Sequence, residues 1–96
     1  MELEVTYSES AFRHGLAEED IQWALKTQRY DALLESREPS DIYLLIGFST
    51  KASLIEVMYN KTFGGRIKVF HAMKCRPQYL PLISLPEETE TERSQA

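Results

Sequence analysis

Apolar and polar positions alternate at Leu3-Glu4-Val5-Thr6-Tyr7, which predicts a strand with one wet face. Ser8 offers an N-cap for a short helix through Arg13, and Gly15 would close it by accepting the positive φ at which helices end. Over 17–28, Ala17, Ile21, Ala24 and Leu25 recur at helical spacing. Glu18, Glu19 and Asp20 open that helix and Lys26 lies in its last turn, as the helix dipole prefers. A short strand over Tyr30–Leu34 precedes "ESREPSD", a turn or loop in which Pro39 disfavours helix. The nearly continuous apolar run "IYLLIGF", 42–48, predicts a strand covered on both faces. "STKAS" then turns the chain into a strand over 54–60, and Gly64-Gly65 turn it again into a strand over 66–73. Pro77 suits the first turn of a helix reaching Leu82, which Pro81 would shorten or kink.

Helices grouped ahead of a strand meander predict an α+β fold. The expected architecture is a small antiparallel sheet, a three- to four-stranded meander plus the N-terminal strand. Two N-terminal helices pack on one face, the other face stays available, and a short helix ends the domain. Ninety-six residues, 43% of them hydrophobic, suit one domain over 1–85 followed by an acidic, disordered tail over 86–96. The stability margin of so small a domain is modest, and a permanent partner or a second copy (a homodimer) can supplement it.

Charge changes this picture. Residues 1–56 carry eleven acids and five bases, a balance of -6, while 57–86 carry Lys61, Arg66, Lys68, Lys74 and Arg76 and no acid, +5. The segment 87–96 returns to -3, with four glutamates and Arg93. A cationic middle between acidic ends can hold a polyanion or an acidic protein although the net charge is -4. The single cysteine, Cys75, excludes an internal disulfide and a cysteine-rich zinc site, and the acidic residues fit helix starts and a solvated tail better than a metal site. Neither metal nor cofactor is expected. With no signal-peptide pattern after Met1 and no apolar run near about 20 residues, a soluble cytoplasmic protein without membrane contact is the default.

The candidate chemistry lies in "VFHAMKCRPQY", where His71, Lys74, Arg76 and Tyr79 fall within nine residues. Metal-free cleavage of RNA needs a base for the 2′-hydroxyl, an acid for the leaving 5′-oxygen, and cations at the crowded phosphorane. Imidazole serves either proton step near neutral pH, and the chain has two, His14 and His71. Strand alternation puts His71 with Ile67, Val69 and Met73, either as a satisfied core histidine or as a catalytic one. Lys68 and Lys74 then share the opposite face with Phe70 and Ala72, so a His71–Lys74 pair requires a twist or bulge. Arg76 could grip a phosphate, and Tyr79 could stack on a base or pack on the core. Tyr59 and Lys51 are weaker candidates of the same kind. His14 either caps helix carbonyls or joins the site.

The same residues carry a resemblance. "FRHG" before an acidic-start helix, "LLIGFSTKASLIEVMY" and "GRIKVFHAMKCR" resemble, over roughly residues 5–80, the BrnT-type toxins of bacterial toxin–antitoxin pairs, within the RelE/ParE superfamily of small α+β proteins. That resemblance implies a ribonuclease that cleaves RNA without metal, on or off the ribosome, inhibits translation, and is neutralised by a tightly bound, small DNA-binding antitoxin. The family's "KHG" step corresponds to Arg13-His14-Gly15. Its final-strand serine falls on His71 and its arginine on Met73, with Lys74 and Arg76 alongside. The expected site is therefore His71, Arg76 and Lys74 for catalysis, with Arg13, His14, Lys51, Tyr59, Lys68 and Tyr79 on the RNA. The alternative is a toxin-like binding module without catalysis, and the third reading a structural or oligomerisation domain.

Overall fold

A computed structural model describes residues 4–83. The chain runs β1 (Val5–Tyr7), a 3-10 turn (Glu9–Phe12), α1 (Glu18–Lys26), β2 (Tyr30–Glu35), β3 (Ile42–Phe48), β4 (Leu54–Lys61), a 3-10 turn (Phe63–Gly65), β5 (Ile67–Lys74) and a final 3-10 segment (Pro77–Ile83). The fold is α+β. Its sheet has five strands in the order β1-β5-β4-β3-β2. Strands β2 to β5 form the expected antiparallel meander, but β1 pairs with β5 in parallel, Val5 opposite Ile67, so the sheet is mixed. Helix α1 carries the chain across the sheet between β1 at one edge and β2 at the other.

α1 forms where its charges and apolar stripe agree. Ala17 has no side-chain acceptor for a cap, so only the reciprocal half of a capping box forms, the Ala17 amide donating to Asp20 Oδ2 at 3.2 Å. Asp20 Oδ1 also accepts from the Thr50 amide at 3.0 Å and its hydroxyl at 2.7 Å, fastening the β3–β4 turn to the helix start. Ile21 and Ala24 are fully buried against Leu45, Ile55, Val57, Ile67, Val69 and Ala72, the main core. Each large aliphatic buried there contributes about 1.5–3 kcal/mol.

Two expectations about the helices are corrected. Glu9–Phe12 is a single 3-10 turn instead of a helix. Four residues cannot repay helix nucleation, and Ser8, although extended like an N-cap, makes no capping bond and lies against the Val69 carbonyl of β5, its amide at 3.0 Å. The C-terminal helix is likewise a 3-10 segment, with Pro81 inside it. It also covers what was expected to stay open: Tyr79 and Ile83 pack with Leu44, Ile46 and Cys75 on the sheet face opposite α1. This second layer is why β3 is buried on both sides. The expected tail over 86–96 lies outside the described residues, among which no helix is long and apolar enough to cross a membrane.

Candidate functional site

Leu54, Glu56, Met58 and Asn60 alternate along β4 onto the face opposite α1. Glu56 is fully buried there. An ionised carboxylate in such a place costs several kcal/mol unless its oxygens are met by cations and donors. Arg76 meets them three ways: its amide donates to Oε1 at 2.9 Å, Nε reaches both oxygens at 3.1 and 3.0 Å, and Nη2 donates to Oε2 at 2.6 Å. His71 Nε2 lies 2.9 Å from Oε2. Burial alone pushes the Glu56 carboxyl up, but the hydrogen bonds from the Arg76 side chain and amide and from His71 together hold it below the usual glutamate value. The same contact raises the Arg76 guanidinium further. Glu56 is therefore an anion, and an ionised carboxylate only accepts hydrogen bonds. An ionised Glu56 requires a hydrogen on His71 Nε2 for this contact, so the tautomer that can act as a base carries its lone pair on Nδ1.

A bulge in β5 makes this contact possible. Met58 pairs with His71 and Tyr59 with Val69, leaving Phe70 without a partner in β4. The extra residue reverses the alternation expected from a regular strand. His71 and Met73 face Glu56's side of the sheet, as does Lys68, while Ile67, Val69, Ala72 and Lys74 face α1. Ser10, in the first 3-10 turn, donates its hydroxyl to the Phe70 carbonyl at 2.6 Å and so ties that turn to the bulge. The chain then delivers His14, whose ring lies edge-on to His71 with centroids 5.5 Å apart and planes at 74°.

The expected site residues divide accordingly. His71 and Arg76 meet through Glu56, and His14 joins them. Tyr79 sits beside Arg76, the guanidinium 5.4 Å from its ring centroid, half packed on the second layer. Lys68 is exposed on the same face as His71, and Arg13 is exposed just after the first 3-10 turn. Lys74 is exposed on the opposite face, paired across the ladder with Ile55, so the bulge does not produce a His71–Lys74 pair. Lys51 is exposed in the β3–β4 turn, beside the start of α1. Tyr59 is core: its ring is stacked 5.4 Å from that of Tyr43, and its hydroxyl donates to Asp31 at 2.6 Å. Burial first and the Asp31 carboxylate second push that phenol far above its usual value. It presents no face to a base. Tyr59→Phe is expected to cost about 1 kcal/mol in chemical denaturation and to leave RNA affinity unchanged.

Glu56 is the residue that sequence reasoning missed. Its signal was a single acid inside the apolar run "LIEVMY", where alternation alone reads it as a solvated position. Cys75 is buried beside it; burial, and then the Glu56 charge, push its thiol up, away from nucleophilic use. The assembled group can orient an imidazole as a base, place a second imidazole beside it as an acid, and offer guanidinium charge to an anion. Comparison with known protein families, curated proteins and solved structures found no match for this chain.

Proposed function

We propose that this protein is a metal-independent endoribonuclease, the toxin of a type II toxin–antitoxin pair, as its resemblance to BrnT-type toxins implies. The observation carrying this reading is the pair of imidazoles 5.5 Å apart, one of them held by a buried carboxylate on a guanidinium. His71 Nδ1 takes the proton from a ribose 2′-hydroxyl, and that oxygen attacks the adjacent phosphorus. The bond from phosphorus to the 5′-oxygen breaks, and protonated His14 donates its proton to that oxygen. The products are a 2′,3′-cyclic phosphate and a free 5′-hydroxyl. The outer edge of Arg76, whose side chain is 39% exposed, and the Lys68 ammonium supply positive charge toward the phosphorane. A small DNA-binding antitoxin that covers this face is the expected partner.

Wild-type protein incubated with single-stranded RNA in EDTA is expected to release fragments ending in cyclic phosphate. His71→Ala and His14→Ala should each slow the release at least about 100-fold, and wild-type expression should arrest growth while the double variant does not. Intact RNA and undisturbed growth with the wild type would remove the ribonuclease. A second reading, a toxin-like module that binds without cutting, is favoured by Arg76, whose Nε edge is committed to Glu56, and by Lys74 on the far face. Salt-sensitive RNA binding without cleavage is its signature.

A further inference from the structure

A cleft of about 310 Å³ opens on the same sheet face as Glu56, between the loop that follows β2 and the bulge in β5. Phe70 and Pro39 give it apolar walls, Ile42 lines it as well, and Arg37, Glu38, Ser40 and Asn60 supply the polar groups. Asn60 lies two residues along β4 from Met58, the residue opposite His71, so the cleft begins about 7 Å from the proposed catalytic base. Phe70 and His71 are adjacent at the bulge, which joins the cleft to the imidazole directly.

From this geometry we infer that the cleft holds one unpaired nucleobase bearing an exocyclic amino group, next to the bond that His71 acts on. The inference rests on the RNA reading above. Phe70 offers the π-face on which a base stacks. One hydrogen of the Asn60 amide nitrogen is engaged, donating to the Asp41 carbonyl at 2.8 Å, which leaves Oδ1 and the second N–H for a ligand. Glu38 adds a second acceptor. Two acceptors against one remaining donor favour a base that presents an amino group, adenine, cytosine or guanine, over uracil, whose exocyclic atoms are both acceptors and whose one donor is the ring N3–H. Arg37, only 4.0 Å from exposed Glu35, is loosely held and can turn toward the backbone phosphate. A second cleft, about 290 Å³, lies against the same loop, but Tyr43 and Lys61 line it on the α1 side of the sheet, away from His71.

The test uses labelled 2′-O-methyl hexanucleotides of A, C or U, which lack the attacking hydroxyl, with the full-length protein at low salt. Oligo(A) and oligo(C) are expected to bind roughly tenfold tighter than oligo(U), within the range of one stacked base. Phe70→Ala should erase that preference and Phe70→Tyr retain it. Ser40→Trp, a half-exposed position on the loop after β2, should fill the cleft and act like Phe70→Ala in a variant whose thermal melting matches the wild type, whereas Lys61→Ala should leave the base preference unchanged. Equal affinity for all three oligomers, or affinities indifferent to both Phe70→Ala and Ser40→Trp, overturn the base site. Cleavage of ordinary RNA that needs His71 but not Phe70 keeps the ribonuclease and removes the base site. Phe70-dependent binding without any cleavage does the reverse.

Discussion

Arg76→Met is expected to lower the melting temperature by roughly 12–24 °C, the consequence of about 3 kcal/mol in a domain of this size. The lower end of the usual cost of breaking a buried ion pair applies because the Arg76 side chain is 39% exposed while that of Glu56 is 0%. What the substitution leaves behind is a carboxylate with His71 and the backbone amide of residue 76 as its remaining partners and no guanidinium charge. The pH dependence should change sign with it. In the wild type the Glu56 carboxyl sits below its ordinary value, so its contribution is complete above the unfolded glutamate value and fades as pH falls through the depressed one. Without the guanidinium, burial, the largest single influence on this carboxyl, is expected to outweigh the two remaining hydrogen bonds and lift it above that value. The group then favours the folded state at low pH, and stability is lost as pH rises through the raised value. Urea titrations should therefore find the Arg76→Met penalty smaller near about pH 4 than near about pH 7. Arg76→Met combined with Glu56→Leu should recover most of the loss, since an apolar pair of similar volume tolerates this site. A single variant that melts with the wild type, or a penalty indifferent to pH, would show that Glu56 does not depend on Arg76. Arg76 variants are for this reason poor probes of catalysis, and His14 and His71 better ones.

Gly47→Ala should be nearly as costly, about 3 kcal/mol by the usual scale of overpacking. A Cβ at Gly47 would lie 2.2 Å from the Ala24 carbonyl oxygen and 2.8 Å from its carbonyl carbon. These are backbone atoms of α1, so no side-chain rotation relieves the clash and the helix must lift from β3. Ala24→Gly should therefore fail to rescue Gly47→Ala. The contrast is Gly65→Ala in the β4–β5 turn, where φ is +82° and nothing lies within 4 Å of the added atom. Only backbone strain opposes that change, on the order of 1 kcal/mol. Calorimetry that ranks the two glycines the other way round would contradict the close helix–sheet approach.

Much of the fold was legible because it follows from local pattern. The apolar run at 42–48 is β3 to the residue, and the alternating runs after it are β4 and β5, displaced by about one position. The acidic first turn and apolar spacing located α1. Other features depended on contacts between distant segments. Residues 5–7 alternate equally well in a parallel or an antiparallel ladder, and the return of β5 beside β1 decided between them. "PQYLPLI" reads as a helix flawed by Pro81, and nothing within it says that it closes the second face over Leu44 and Ile46.

The candidate site divides along the same line. By itself the amino-acid sequence determined which chemical groups were present near the end of the last strand, and that His71 and Arg76 stood among them, because residue type and spacing are written there. Only the tertiary structure decided that Lys74 faces away, that Tyr59 is core, and that Glu56 and His14 converge on His71. The reason is that one unpaired residue, Phe70, reverses which side of the sheet its neighbours face, and a bulge is set by pairing across strands rather than by any pattern along one of them.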